Sequence, residues 1–124
     1  MTTQNLIIEK KGLAGLFSWL KDKGHQVEIS DKKVFDIKVD GEYAEVKTKK
    51  GSWDDFDFIG ITKNQYSAME SGELRKVYLV LNANNPESIE VKILNCSDLL
   101  NAEHTMEPTY YWYKKSIREV VEKC

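Results

Sequence analysis

The sequence predicts an α/β protein whose mixed sheet contains an antiparallel meander and is flanked by helices. Three observations lead to this fold class. Apolar residues recur at helical spacing near the N-terminus, and short segments with period-two alternation follow them. A nearly continuous apolar run, KVYLVLN at 76–82, is typical of a central strand buried on both faces. The expected order is helix, three strands, helix, two strands and helix.

The first helix is predicted over residues 4–23. Its apolar positions are Leu6, Ile7, Leu13, Leu16, Phe17 and Leu20. Gly12 and Gly15 each cost about 1 kcal/mol relative to alanine inside a helix, so a first turn could break off there. Gly24 is a typical helix stop.

Three short strands are predicted next, at 25–30, 34–39 and 43–49. Asp40-Gly41, between the second and third, is a strong signal for a two-residue hairpin turn. The segment GSWDDFDFIGI at 51–61 is expected to form a buried loop or a short strand.

The second half of the chain repeats helix and strand signals. A helix is expected at 62–72, between a capping Thr62 and Gly72. The strands at 76–82 and 88–94 are expected to pair, and SDLL at 97–100 predicts a short helical turn. A last helix is predicted over 108–123, with Pro108 favourable near its start; the tyrosines of its aromatic run YYWY cannot share one face, so some are expected to be exposed, and packing or a partner surface is their expected role.

Size and composition exclude several classes of protein. The chain has 124 residues, which suits one domain over 1–124, and its net charge of −2 gives no global basic field. No apolar stretch approaches the ~20 residues needed to span a bilayer, so no membrane contact is expected. Cys96 and Cys124 form neither a metal-type pair nor a disulfide framework. We therefore expect a cytoplasmic protein with ordinary thiols.

The hairpin places two carboxylates opposite each other. A two-residue turn at Asp40-Gly41 sets Asp36 against Glu45, and these side chains share one face with Lys47. The same face would carry Lys38 and Tyr43. The other face would point into the core with Phe35, Ile37, Val39, Ala44 and Val46.

Opposed carboxylates have two interpretations, a solvated sheet face or a metal site. Their Cβ atoms would be ~5 Å apart, a distance at which one pKa rises or a cation is shared. Mg²⁺ accepts one or two carboxylates with waters completing its shell, and Lys47 could polarise a nearby water. Acidic-x-Lys triplets also occur at 9–11, 31–33, 36–38 and 90–92. Only 45–47 combines a strand, an upstream aspartate across a tight turn and a following helix.

Asp36, Glu45 and Lys47 in this arrangement resemble the motif of the PD-(D/E)XK nuclease superfamily. The likeness extends over about residues 13–95. Within the superfamily, the chain is similar to the nuclease-like domains grouped with the C-terminal domain of the NO VEIN protein, where a T-x-N-E/Q helix start stands in the place of ITKNQY here. The proline that names the motif is absent, since VFD occupies that place.

The resemblance implies a restriction-endonuclease-like αβββαβ core and hydrolysis of phosphodiester bonds in DNA or RNA, with Mg²⁺ or Mn²⁺ as cofactor and a restriction or defence setting. Asp36 and Glu45 would bind the metal, and Lys47 would position the attacking water. Gln65, or its neighbour Asn64, would assist, although a helix cap and a surface residue explain them as well. Glu9 is the candidate for the auxiliary acid that many members carry on the first helix; a plain surface charge is the alternative.

Several basic and aromatic residues could contact nucleic acid. Lys49, Lys50 and Lys63 are candidates for phosphate contact, with Arg75 and Lys76 as further neighbours, unless they are only a solvated charge run. Trp53 could stack on a base or pack in the core. His25 and His104 have no companion ligand at metal spacing and receive no role.

Two other functions remain open from the sequence. The same fold could bind nucleic acid or protein without cleaving anything, which the acidic balance and small size favour. The chain could also be a protein-interaction or immunity-type factor whose hairpin charges are merely surface. The expected partner is a nucleic acid, with a homodimer or a larger complex as a further option.

Overall fold

The strands of this chain form two sheets. The computed structural model describes residues 3–106 and 110–122, apart from the side chains at positions 3–5, 86, 106 and 111. The strands are β1 (Val27–Ile29), β2 (Ile37–Val39), β3 (Glu42–Thr48), β4 (Phe58–Ile61), β5 (Leu74–Leu81), β6 (Glu90–Asn95), β7 (Thr105–Met106) and β8 (Tyr110–Tyr113). The larger sheet has the order β1-β2-β3-β5-β6, with β3 and β5 parallel and the other pairs antiparallel. The predicted mixed sheet with an antiparallel meander is therefore confirmed.

Helices cover both faces of the larger sheet. They are α1 (Thr3–Asp22), α2 (Lys63–Ser71), α3 (Cys96–Asn101) and α4 (Lys114–Val120). The first packs on one face, while the other three pack with the small sheet β4-β8-β7 on the opposite face. In the described part of the chain, no helix is both long and apolar enough to cross a membrane.

Helix α1 is anchored by a continuous apolar layer. Leu16 and Leu20 are fully buried and pack against residues from β2, β3 and β5: Ile37, Val39, Ala44, Tyr78 and Val80. Their spacing of four residues places both side chains on one face of the helix. This layer fixes α1 across the strands that carry the candidate site.

Gly12 and Gly15 lie inside an unbroken helix, so the expected break of the first turn is wrong. An ideal Cβ on Gly12 would lie 2.3 Å from Cγ2 of Thr48, and one on Gly15 would lie 2.3 Å from Cδ1 of Ile89. The helix therefore approaches β3 and the segment before β6 so closely that a Cβ at either position would require Thr48 or Ile89 to shift. The packing gained by this approach offsets the low helix propensity of glycine.

We expect Gly12→Val to destabilise the protein by about 1–3 kcal/mol, because the new side chain overpacks against Thr48. Urea unfolding monitored by circular dichroism would measure this change. Ala14→Val, at an exposed position of the same helix, is the matched control and should cost about 0.5 kcal/mol or less. Thr48→Ala should recover part of the loss in the double variant. Equal effects of the two valines would contradict the close approach.

The C-terminal segment differs most from its prediction. Residues 110–113 form strand β8, and only Lys114–Val120 is helical, so the expected helix over 108–123 is wrong in its first part. Trp112 is completely buried and its indole N–H donates to the carbonyl of Leu99 at 2.8 Å, whereas Tyr113 is exposed. Tyr110 and Trp112, two residues apart, both pack in this core while Tyr113 is exposed, which is the spacing of a strand. Pro108 and Cys124 lie outside the described residues.

Candidate metal-binding site

The hairpin that carries the site forms as predicted at its turn. Asp40 and Gly41 both have positive φ angles, 51° and 84°, as a two-residue type I′ turn requires. The pairs Val39↔Glu42, Lys38↔Tyr43 and Ile37↔Ala44 all have the predicted register. Asp40 also accepts a hydrogen bond from the amide of Gln26 (2.8 Å) and lies 2.6 Å from Nδ1 of His25, which gives that histidine a structural contact.

Asp36 does not face Glu45 as a cross-strand partner, because the pairing ends at Ile37↔Ala44. It lies one residue before β2, and its Oδ2 accepts a hydrogen bond from the backbone N–H of Val46 at 2.8 Å. If the pairing of β2 with β3 had continued beyond Ile37↔Ala44, a backbone carbonyl of the opposite strand would have accepted the hydrogen bond from the N–H of Val46. The aspartate carboxylate takes the place of that carbonyl and is thereby fixed beside the strand.

The departure of the chain at Asp36 also moves its neighbour to the other core. Phe35 was expected beside Ile37 and Val39, but this prediction is wrong. Its ring stacks on Tyr43 with centroids 4.7 Å apart, and it packs with the α2 side of the sheet. Because β2 begins at Ile37, the alternation of a strand does not extend back to Phe35. The side chains of Phe35 and Ile37 therefore lie on opposite faces of the sheet.

Glu45 is the buried centre of the site. Only 4% of its surface is exposed. Its Oε2 accepts a hydrogen bond from Nε2 of Gln65 at 2.9 Å and lies 3.1 Å from Nζ of Lys47. Its Oε1 is buried and accepts no hydrogen bond from the described residues, so the ionised carboxylate has no donor at that oxygen. Such an orphaned oxygen costs about 1–3 kcal/mol, so it requires an explanation.

Burial raises the pKa of Glu45 from an ordinary 4.5 to about 8. A hydrogen bond that protonated Glu45 donates to Asp36, and the negative charge of Asp36, contribute to the same rise in pKa, while the ammonium group of Lys47 opposes it. Asp36 and Glu45 are therefore close neighbours, and in the absence of a cation Glu45 is held as a neutral carboxyl group up to about pH 8.

Gln65 connects the second helix to the site. Its Oε1 accepts from the backbone N–H of Thr62 (3.1 Å), while Oγ1 of Thr62 accepts from the N–H of Gln65 (3.2 Å), which forms a capping box. The Nε2 group then donates to both Glu45 Oε2 and the carbonyl of Val34 (3.1 Å). The residue is thus both a helix cap and a neighbour of the candidate site. Asn64 is exposed.

A groove of about 640 Å³ opens beside these residues, between α1, β3 and β4. Its charged lining is contributed by Glu9, Lys10, Asp36, Glu45, Lys47 and Lys49, and its apolar lining includes Leu6, Leu13, Ile29 and Val46. Lys10 was missed from the sequence. It lies one helical turn after Leu6 and one before Leu13, and this spacing could have indicated a shared face.

The structure places the lysines that were predicted to contact phosphate in different regions of the surface. Lys49 lines the groove, where its Nζ donates to the carbonyl of Phe58 at 3.2 Å; burial, followed by the charge of Lys47, lowers its pKa. Lys50 and Lys63 are exposed and are outside the residues that line the groove. Lys76 lies instead beside a separate cavity of about 100 Å³ with His25 and Asp40.

The aromatic and histidine residues considered from the sequence belong to the framework. Trp53 packs against the core on the α2 side of the larger sheet, and its ring stacks on that of Phe56 with centroids 5.7 Å apart. His104 hydrogen-bonds Tyr66 at 2.9 Å. Packing therefore explains Trp53 without a base contact.

The donor set fits a hard divalent cation held by two protein oxygens. An orphaned carboxylate oxygen beside a second carboxylate is what Mg²⁺ or Mn²⁺ would bind, with waters completing the shell. Within residues 3–106 and 110–122, no group of three or more His, Cys, Asp or Glu side chains is placed to hold a metal. Glu9 lines the same groove, but it does not join the two carboxylates as a third ligand.

Comparisons with protein-family models, with curated proteins and with solved structures gave no significant match.

Proposed function

We propose that the protein is a metal-dependent phosphodiesterase that cleaves DNA or RNA, with Asp36 and Glu45 as ligands of Mg²⁺ or Mn²⁺ and Lys47 beside them. The observation that carries the proposal is the buried Glu45, whose Oε1 accepts no hydrogen bond from the described residues while Oε2 contacts Lys47. A cation would satisfy that oxygen and offset the proximity of Asp36. The resemblance to PD-(D/E)XK nucleases supports the same assignment.

The proposed chemistry is hydrolysis at phosphorus. A water oxygen forms a bond to phosphorus, the bond from phosphorus to the leaving oxygen breaks, the water loses a proton and the leaving oxygen gains one. When bound, the divalent ion would lower the pKa of water and offset negative charge on the phosphate. Lys47 Nζ would orient the water or stabilise the phosphate charge. Gln65 holds the carboxylate of Glu45 in place through its 2.9 Å contact.

A non-catalytic binding module is the second candidate. It is favoured by the finding that only two acidic side chains come together at this position in the described part of the chain. In that case, the groove would hold nucleic acid through Lys10 and Lys49, and no cleavage would follow.

We expect Mg²⁺ or Mn²⁺ to raise the melting temperature of the wild type. At about five times the Kd, ligand binding adds about 1 kcal/mol, or roughly 3–5 °C for a domain of this size. Asp36→Asn should remove the shift because the amide is a much weaker ligand for a hard cation. Asp54→Asn, an exposed aspartate in the loop before β4, is the matched control and should keep it. An unchanged shift in Asp36→Asn would rule out the proposed ligand pair.

Incubation of labelled DNA and RNA with purified protein, with Mn²⁺ or with a chelator, tests catalysis itself. The proposal requires cleavage that depends on the metal. Metal binding without cleavage of any nucleic acid would favour the non-catalytic module.

A further inference from the structure

We propose that Phe58 and Tyr113 form a stacking platform for an unpaired nucleobase, so that the substrate is nucleic acid with single-stranded bases. The inference rests on the proposed function for the nature of the bound polymer. It adds which form of nucleic acid the groove accepts.

Two adjacent aromatic side chains are exposed on the small sheet. Phe58 and Tyr113 are 44% and 57% exposed, and they are direct partners across β4 and β8. Their ring centroids are 6.1 Å apart with the planes inclined by 65°. The next pair, Ile59 and Trp112, is buried on the opposite face. Phe58 and Tyr113 therefore lie on the face of the small sheet that points away from the core around Trp112.

The aromatic pair lies next to the groove along strand β4. Gly60 lines the groove and shares a face of β4 with Phe58, because residues two apart in a strand point the same way. Lys49 bridges the two regions, since it lines the groove and its Nζ bonds the carbonyl of Phe58 at 3.2 Å. At ~3.3 Å per residue, Lys49 lies about 13 Å along the chain from Glu45. A strand bound at the candidate metal site would thus reach the rings within a few nucleotides.

Charge alone would give this groove little net attraction for a nucleic acid. Its lysines, Lys10, Lys47 and Lys49, are matched in number by the carboxylates of Glu9, Asp36 and Glu45. The whole chain has a net charge of −2. A second source of affinity is required, and base stacking on an aromatic side chain supplies about 5- to 150-fold per base. Only unpaired bases offer their faces in this way, because the faces inside a duplex are already stacked.

The test compares ligands and variants in the absence of metal, where cleavage cannot interfere. Fluorescence anisotropy would measure the Kd of labelled single-stranded DNA, single-stranded RNA and a hairpin duplex of the same sequence, in EDTA at low salt. The double variant Phe58→Leu/Tyr113→Leu keeps apolar surface and removes both rings. Trp19→Leu is the matched control, because that ring is partly exposed on another face of the molecule, under Lys23. Circular dichroism would confirm that each variant is folded, with Tyr113→Leu alone as the milder substitution.

We expect the wild type to bind single strands at least 10-fold more tightly than the hairpin. The double variant should lose 10-fold or more for single strands, with little change for the hairpin or for Trp19→Leu. Quenching of 2-aminopurine in the single strand should be seen with the wild type and lost with the double variant, which reports stacking directly. The ratio of the Kd values for single-stranded DNA and single-stranded RNA gives the preferred sugar. Equal loss for single strand and hairpin, or no loss, would overturn the platform.

Failure of this inference is distinguishable from failure of the proposed nuclease. Stacking and strand preference without metal-dependent cleavage would support the platform and refute the catalytic role. Metal-dependent cleavage with equal efficiency on single strands and duplexes, unchanged in the double variant, would support the catalytic role and refute the platform.

Discussion

Lys47→Met is expected to lower metal-dependent cleavage by about a hundredfold to a thousandfold, the usual effect of removing one group that stabilises charge in a transition state. Methionine keeps most of the apolar stem and removes the ammonium group, which lies 3.1 Å from Glu45 Oε2. The measurement is the initial rate of cleavage of a labelled oligonucleotide with excess enzyme. Because Lys47 lowers the pKa of Glu45, rates should be compared from about pH 6 to pH 9, where a shift of the profile would be visible.

The chain contains a matched control for this substitution. Lys92 follows Glu90 by two residues on β6, and its Nζ lies 3.6 Å from Oε2 of that glutamate. The pair has the same spacing and charges, but Glu90 is half exposed and the two carboxylates at the candidate site are absent from its surroundings. Lys92→Met should therefore cleave at the wild-type rate. Equal rates for wild type and Lys47→Met would mean that the lysine has no part in the reaction, or that the activity belongs to a contaminant.

The comparison of Lys47 with Lys92 also shows what sequence can and cannot distinguish. Both belong to acidic-x-Lys triplets on strands, but only the strand of Glu45 has helix α2 above it, where Gln65 contacts the carboxylate. Burial of Glu45 depends on parallel pairing of β3 with β5 and on packing of α2, which are contacts between residues distant in sequence. The triplet could be recognised from local pattern, whereas its burial could not.

The turn was predictable for a local reason, and the position of Asp36 was not. Asp40-Gly41 fixes the register by its backbone geometry alone. The pairing of β2 with β3 does not extend back beyond Ile37, because the carboxylate of Asp36 accepts the hydrogen bond from the backbone N–H of Val46. A carboxylate that replaces a backbone acceptor looks the same, in sequence, as one that projects from a strand. The two acidic residues come together by a different route from the one predicted.

The small sheet was missed because its signals compete. The aromatic run at 110–113 precedes KKSIREVV, whose helical character extends a helix prediction backwards over it. Pairing with β4 and burial of Trp112 decide the outcome, and tertiary packing commonly overrides local propensity in this way. The exposed rings of the proposed platform follow from that sheet, so they could not have been identified from the sequence.

Glu45→Gln is expected to stabilise the metal-free protein, by an amount that grows with pH. The folded pKa of Glu45 is about 8 against an ordinary 4.5, so its stabilising contribution is fully present below about pH 4.5 and is lost as the pH rises towards 8. The full difference corresponds to roughly 3–5 kcal/mol. Glutamine imitates the protonated carboxyl group: its oxygen can accept from Gln65 and its NH₂ can donate to Asp36, with no charge to desolvate.

Urea unfolding in EDTA at about pH 5, 7 and 9 would measure this effect. The free energy of unfolding of Glu45→Gln should be close to that of the wild type near pH 5. It should exceed the wild-type value by the largest amount near pH 9. Glu90→Gln is the matched control, because Glu90 is also followed two residues later by a lysine but is half exposed, and its effect should be small at every pH. Saturating Mg²⁺ or Mn²⁺ should stabilise the wild type near pH 9 and leave Glu45→Gln unchanged, since the amide removes the ligand. A pH-independent difference between Glu45→Gln and the wild type would mean that Glu45 is not held as a strained, neutral carboxyl group awaiting a cation.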